Sequence, residues 1–355
     1  MRAILFILAA ALPAPRASAQ PAPLEPTGAR VLHLVGHIGQ PKALAAYHEM
    51  AGPRFAPAGD SLWLALDQTR PWEFSLKRIE TDLARLAEEG RVANLSLTFV
   101  PPTRAGFSTA GDRRFVETTD YDSRIDDLAR VIRHSRVPVL LRIGCEINGS
   151  WKGHHPFLFP RAFRKVVTRF RARSVENVAF VFNIAAMGDR NVFAVNDLGE
   201  PKWYPGDDVV DWFGINVFRR EHFDPTAPAR PGHTNLAAFT ASFLARAREA
   251  GKPVLIGETT PVGNIVRSSA EDPNDYAADD VWSEWFAPFI AFLDRHPEIK
   301  AVTLLPIDWR STRWSDWGDA RIHRSPRLVR RWKQELEKPR WVHRDDLRLA
   351  LSAGF

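Results

Sequence analysis

VPVLLRIGCEINGSW, residues 137–151, runs through seven residues that are almost wholly apolar, turns at Gly144 and then presents an acid, Glu146. The run does not alternate polar with apolar, which marks a strand buried on both faces rather than one with a wet side. The pattern returns in GKPVLIGETTP, residues 251–261, where a dry run ends in Gly257 and Glu258. Six more apolar runs of this kind lie at 31–35, 61–66, 94–100, 178–184, 209–217 and 301–306. With 137–143 and 253–257 they make eight predicted strands.

The segments between the strands have helical periodicity. Leu76, Ile79, Leu83 and Leu86 share a face, as do Ile125, Leu128, Val131 and Ile132, and Phe163, Val166, Val167 and Phe170. Leu236, Phe239 and Phe243 repeat in the same way. Asp122 and Ser123 are candidate caps for one helix, and Gly251-Lys252-Pro253 closes another and opens a strand. Pro288 inside 281–293 predicts a kink or a break. Eight strands alternating with helices, without a composition break, predict a (β/α)₈ TIM barrel in one α/β domain. No G-x-G-x-x-G or Walker sequence follows any strand, which removes the usual reason to prefer an open nucleotide-binding sheet.

The chain opens with MRAILFILAAALPAPRASAQ: a basic Arg2, an apolar stretch over 3–12 and a small-x-small site at Ala17-Ser18-Ala19. Residues 1–19 therefore read as a secretory signal peptide, too short to span a membrane, and the barrel as 20–355. This predicts a secreted or periplasmic protein with no integral membrane segment. The net charge of +6 is modest and falls to +4 without Arg2 and Arg16. Its excess near the C-terminus reads as a solvated helix and tail, or as a surface for anionic polysaccharide or membrane lipid, and nothing in it has the aromatic-basic pattern of a nucleic-acid binder. A single cysteine, Cys145, excludes an internal disulfide, so the core alone must hold the fold. The 12 Trp and 22 Phe against 4 Tyr suit both a large core and a sugar cleft, since the indole face matches the C–H face of a pyranose.

Glu146 and Glu258 follow the fourth and seventh strands, so both belong to the mouth where barrel chemistry is built. A pair of carboxylates there suits glycosidic cleavage, in which one protonates the leaving oxygen and the other attacks the sugar carbon. No cofactor or metal is required, and the expected partner is a polysaccharide bound by a monomer. Arg142 offers five fixed donors for orienting a carboxylate or a hydroxyl, or for a strand-end ion pair. Asn148 could meet a sugar hydroxyl or form a turn with Gly149. Trp151 and Trp309 could stack on sugar or pack a loop. Asp207 and Asp211 read as structural caps. His154 and His155 diverge as neighbours and have no further ligand at metal spacing, which leaves a sugar contact or a plain loop.

LRIGCEINGSW resembles the R-x-x-x-E-x-N-G-x-W signature of glycoside hydrolase family 26, a retaining barrel family with catalytic glutamates on strands 4 and 7. In the same order, TTDYDSRIDDLARVI, FPRAFRKVVTRFRARSVENVAFVFN, WYPGDDVVDWFGINVF, KPVLIGETTP and AVTLLPIDWRSTRWSDW are similar to that family's segments; the likeness covers roughly 94–325. It implies Glu146 as acid/base and Glu258 as nucleophile. It also implies a sugar site furnished by Arg142, Asn148 and Trp151 with Trp309 as a stacking platform; His155, Asn216 and Phe218 are further expected substrate contacts. The sequence departs from the family in four places, one being Lys152-Gly153-His154-His155 where further aromatics are expected after Trp151. Cys145 stands where His is usual, Phe218 where a Tyr donates to the nucleophile, and Asn216 where Asp is common. Loss of that hydroxyl removes a charge-assisted bond typically worth about 1.5–3 kcal/mol. The resulting expectation is a secreted, retaining endo-β-glycosidase acting on a β-linked polysaccharide, with β-1,4-mannan the leading substrate. The alternatives are another β-glycan or bacterial exopolysaccharide, and a barrel that binds glycan without turning it over.

Overall fold

All eight apolar runs are strands in the computed structural model, which describes residues 21–66, 71–99, 109–262 and 277–351. They are β1 (Val31–Val35), β2 (Gly59–Ala65), β3 (Val92–Thr98), β4 (Val139–Ile143), β5 (Val178–Ala185), β6 (Trp212–Val217), β7 (Val254–Thr259) and β8 (Ile299–Leu304). Each pairs in parallel with the next, and β1 pairs with both β8 and β2, so the sheet closes into a (β/α)₈ barrel. The leader expected at 1–19 lies outside the described residues. Among those described, no helix is long and apolar enough to cross a membrane.

A ninth strand, β9 (Trp341–Val342), escaped the sequence reading because two residues carry no periodicity. It pairs with Val31 and Leu32, whereas β2 takes the upper half of β1 at Leu34 and Val35. The short piece thus covers the lower edge where β2 diverges. Nearby, Pro23 and Leu24 plug the bottom of the barrel. Leu24 is fully buried, and the Trp212 indole donates to the Pro23 carbonyl at 2.7 Å.

Two apolar layers hold the barrel. Leu32, Leu34, Leu140, Val181, Trp212, Leu255 and Ala301 belong to one cluster with Leu24, and a larger cluster joins the strands to the surrounding helices. Each fully buried Leu, Ile or Phe contributes about 1.5–3 kcal/mol, which explains how the fold stands without a disulfide. Toward the mouth the buried side chains turn polar. Asn94, Ser96, Arg142, Asn183, Asn216 and Thr303 are all buried, and Asn94 Nδ2 donates to Thr303 Oγ1 at 2.9 Å.

Two helix expectations are refined. Pro288 does not break its helix. The helical path is continuous from Ala277 to Arg295, and the turn just before Pro288, Trp282–Phe286, widens to a π-helix in which Ala287 N donates to Trp282 O, so the irregularity is a local widening. Neither Asp122 nor Ser123 caps the helix Asp122–Ser135 through its side chain. Asp122 instead pairs with Lys165 at 2.7 Å and Arg169 at 2.6 Å, tying two neighbouring helices together.

Candidate active site

Glu258 lies inside β7, at an irregular point of the ladder. From Ile256 to Thr259 the strand advances three residues, while β6 advances two (Ile215 to Val217) and β8 advances two (Val302 to Leu304). The extra residue is a bulge, which re-aims the side chain beside it. Gly257 lets the site close up. A Cβ there would come within 2.6 Å of Asn216 Oδ1, 2.8 Å of Asn183 Nδ2 and 2.9 Å of Arg142 Nη1.

Glu146 follows β4 with a backbone φ of +58°, a left-handed conformation that L residues rarely adopt. Strain of this kind persists only where the surroundings over-determine it. Here Asn183 Oδ1 accepts from the Glu146 amide at 3.2 Å, and the Glu146 carbonyl accepts from Gly149 N at 2.9 Å.

The two carboxylates occupy the same mouth and are linked by shared neighbours. Glu258 Oε1 accepts from Arg142 Nη1 at 2.9 Å and from the Cys145 thiol at 3.5 Å. Glu258 Oε2 has no hydrogen-bond partner among the described residues. Glu146 Oε1 accepts from Asn216 Nδ2 at 3.1 Å, and its Oε2 accepts from Trp151 Nε1 at 2.8 Å. Lys152 Nζ stands 3.6 Å from the same Oε2. Asn216 Nδ2 also lies 3.9 Å from Cys145 Sγ, so Cys145 and Asn216 form the bridge between the two acids. The Glu146 and Glu258 side chains are 12% and 17% exposed, mostly enclosed yet reachable.

Burial pushes the Cys145 thiol up to about 11, against the pull of Arg142, so it keeps its proton at neutral pH and can donate to Glu258. Burial alone would lower Lys152, but its acidic neighbours, Glu146 and Glu258 among them, outweigh it and hold the ammonium in its charged form. No histidine lies among the hydrogen-bond partners of Cys145 in the described residues, which leaves a thiol nucleophile without a base.

Three of the residues read as sugar contacts are enclosed in the structure. Asn148 is buried, and its amide is fully engaged: Nδ2 donates to Ala185 O at 3.0 Å and Asp189 O at 2.9 Å, and Oδ1 accepts from Ala185 N at 2.8 Å. It clamps the β4 loop to the end of β5. Trp309 is only 1% exposed and packs against Phe218, Trp314 and Trp317, so it offers no open face for stacking. Phe218 is buried as well, 4.9 Å from Trp317 by ring centroids, with its carbonyl held by Trp285 Nε1. Arg142, Trp151 and Asn216 do converge, but on the carboxylates. His155 lies on the loop after Trp151, where its Nδ1 accepts from Phe157 N and its own backbone N–H donates to Asp112. His154 is buried, bonded to Asp112 at 3.0 Å and edged against Phe99 and Phe159, a packing role. Asp211 accepts from Phe180 N and Asp207 binds Arg246, both structural.

The sequence reading missed Lys152, Asn183 and Ser61; Ser61 Oγ lies 3.4 Å from Arg142 Nη2. The available signal was polarity out of place, an Asn near the end of the dry strand VAFVFNIA and a Ser at the start of the run at 61–66.

Residues 109–258 match the model of glycosyl hydrolase family 26, an interval that contains Glu146 and ends on Glu258. The chain belongs to that family. A β-1,3-xylanase from a Vibrio species is 31% identical over 79% of this chain and 61% of its own length. A β-1,3-xylanase from an Alcaligenes species is 30% identical over 74% and 56%. The chain thus spans about three fifths of the length of these relatives. A modular endo-β-1,4-mannanase from Cellulomonas fimi shares the family 26 fold, with a TM-score of 0.59 at 17% identity over 89% of this chain and 72% of that one.

Proposed function

We propose that this family 26 chain is an exported, monomeric, retaining endo-β-glycanase in which Glu258 is the nucleophile and Glu146 the acid/base. The observation that carries this is the asymmetry of Glu258, with one oxygen held by Arg142 and Cys145 and the other without a hydrogen-bond partner among the described residues. Oε2 attacks the anomeric carbon as the bond to the leaving oxygen breaks, and Glu146 delivers its proton to that oxygen. In the second step Glu146 takes a proton from water, the water oxygen attacks the same carbon, and the ester to Glu258 is released. Arg142 neutralises Glu258 and fixes its plane. Trp151 and Asn216 set the direction of Glu146.

For the substrate, the curated relatives favour β-1,3-xylan over the β-1,4-mannan expected from the family at large. They are 30–31% identical to this chain, whereas likeness to the mannanase, at 17%, supports the fold alone. Mannan is the second reading. A non-catalytic barrel is disfavoured because both carboxylates remain reachable.

The test combines a polysaccharide panel with two variants and product stereochemistry. The parent should release oligosaccharides from β-1,3-xylan with the anomeric configuration retained by proton NMR. Glu258→Ala should abolish release from every substrate. Glu146→Gln should lose unactivated xylan while sparing aryl glycosides whose leaving group needs no proton. Inverted product, or equal loss of both substrate types in Glu146→Gln, refutes the assigned roles; release from mannan alone refutes the substrate.

A further inference from the structure

Arg219 directly follows Phe218 at the mouth end of β6, and it is an unusual arginine. Its side chain is only 13% exposed. None of its guanidinium N–H groups makes a hydrogen bond to a described residue, and its Nε is buried without a partner. Buried guanidinium groups are ordinarily satisfied by carboxylates or carbonyls, because their five donors are costly to desolvate unmet. Its ion-pair partner among the described residues is Asp316, 3.6 Å from Nη2, a carboxylate that is itself 70% exposed and beyond hydrogen-bond range. The guanidinium carbon lies 5.8 Å from the centroid of the Trp317 ring, a cation–π contact. Burial first, then the Arg230 cation, weakens its hold on its proton, and Glu221 and Asp316 offset only part of this. It remains charged and under-compensated.

Its place in the fold ties it to the candidate cleft. Trp317 packs against Phe218 and Trp309, and Trp309 Nε1 reaches Thr260 Oγ1 at 3.4 Å, two residues beyond Glu258. A half-buried cation with unspent, fork-shaped donors beside an aromatic face fits a planar or tetrahedral oxyanion carried on a sugar ring.

We propose that Arg219 is an anion-binding subsite of the cleft, which engages a carboxylate or sulfate ester carried by the glycan, so that the preferred polymer is an acidic one. This rests on the glycanase reading for its place in the cleft, but its test does not need turnover.

The probes are neutral β-1,3-xylan and two derivatives made from it at matched low substitution, one carboxymethylated and one sulfated. Affinity is read as retardation in native gels containing each polymer. At low salt the parent should bind a derivative about tenfold more tightly than the neutral polymer, as a charge-assisted bond implies. Arg219→Gln should erase most of that ratio, and Arg219→Lys should restore part of it with less salt resistance. Preference for the carboxymethyl form assigns a uronate-type ligand, preference for the sulfated form a sulfate ester, and either supports the subsite. Arg54→Gln, at the opposite end of the barrel, controls for bulk charge. The proposal is overturned if the parent binds all three polymers alike, or if Arg54→Gln lowers the ratio as much as Arg219→Gln. If no xylan is cleaved while the Arg219-dependent ratio persists, only the glycanase reading fails.

Discussion

Replacing Asn148 by Ala separates a structural clamp from a sugar ligand. The amide makes three hydrogen bonds in a buried position. Of the groups it serves, Ala185 O keeps a second partner in Gly188 N at 3.2 Å, so its loss is partial. Ala185 N has no such substitute, and Asp189 O is only part-buried and can turn to water. One orphaned buried N–H at about 1–3 kcal/mol, plus a weakened carbonyl pair, gives a loss of about 2–4 kcal/mol. At about 2 °C per kcal/mol for a large domain this lowers Tm by about 4–8 °C. Asn148→Asp keeps the shape and the acceptor for Ala185 N but turns a carboxylate oxygen toward two carbonyls, so it should destabilise at least as much. The assay is urea unfolding followed by tryptophan fluorescence, with KM measured alongside. The midpoint should fall at unchanged slope, and KM should stay within about twofold under conditions where the protein is folded. An unchanged midpoint with a several-fold higher KM would refute the clamp and return the amide to the sugar.

Two further outcomes follow from the same geometry. Cys145→Ala removes a weak donor to Glu258, so kcat/KM should fall by about three- to tenfold with little change in stability; the native thiol, held near 11 by burial, should ignore a thiol reagent at pH 7.5 and react once urea unfolds the chain. His222 is pushed down to about 3 by burial and then by Arg219 and Arg230, and its Nδ1 accepts from Phe218 N at 3.1 Å. The unfolded chain therefore protonates this ring near pH 6.5 while the native chain resists until about 3. Its contribution is complete above 6.5 and is lost as pH falls toward 3. Urea midpoints measured over that window should decline less steeply in His222→Asn, which keeps an acceptor at the δ position; identical slopes would contradict this.

The barrel was legible because its strands are dry on both faces, and the runs at 31–35 and 178–184 map almost residue for residue onto β1 and β5. The ends were less so. The run at 209–217 overreached β6 by three residues, since Val209 and Val210 are buried by the preceding loop rather than by a ladder. In the mouth, strand-end position was enough to single out Glu146 and Glu258 as candidates. The partners were harder to read. Whether Asn148 faces sugar or backbone depends on where the β5 loop folds, a contact across 37 residues that no local pattern encodes. Trp309 read as a platform through the family resemblance, and no local pattern encodes that the aromatics at 314 and 317 fold over it.

The departures at 145 and 218 read as losses in sequence and as a rearrangement in structure. Phe218 can no longer donate from β6, yet Glu258 Oε1 is held from β4 by Arg142 and by the Cys145 thiol, which burial keeps protonated. In exchange β6 supports the other acid, through Asn216 to Glu146 Oε1. Glu258 is thus braced from β4 and Glu146 from β6, and Cys145 and Asn216 touch where the two braces meet. A residue that bridges both cannot be altered for one acid alone. Changes at 145 and 216 should therefore be strongly non-additive, and a double variant that loses no more than the worse single one is the signature of a shared brace.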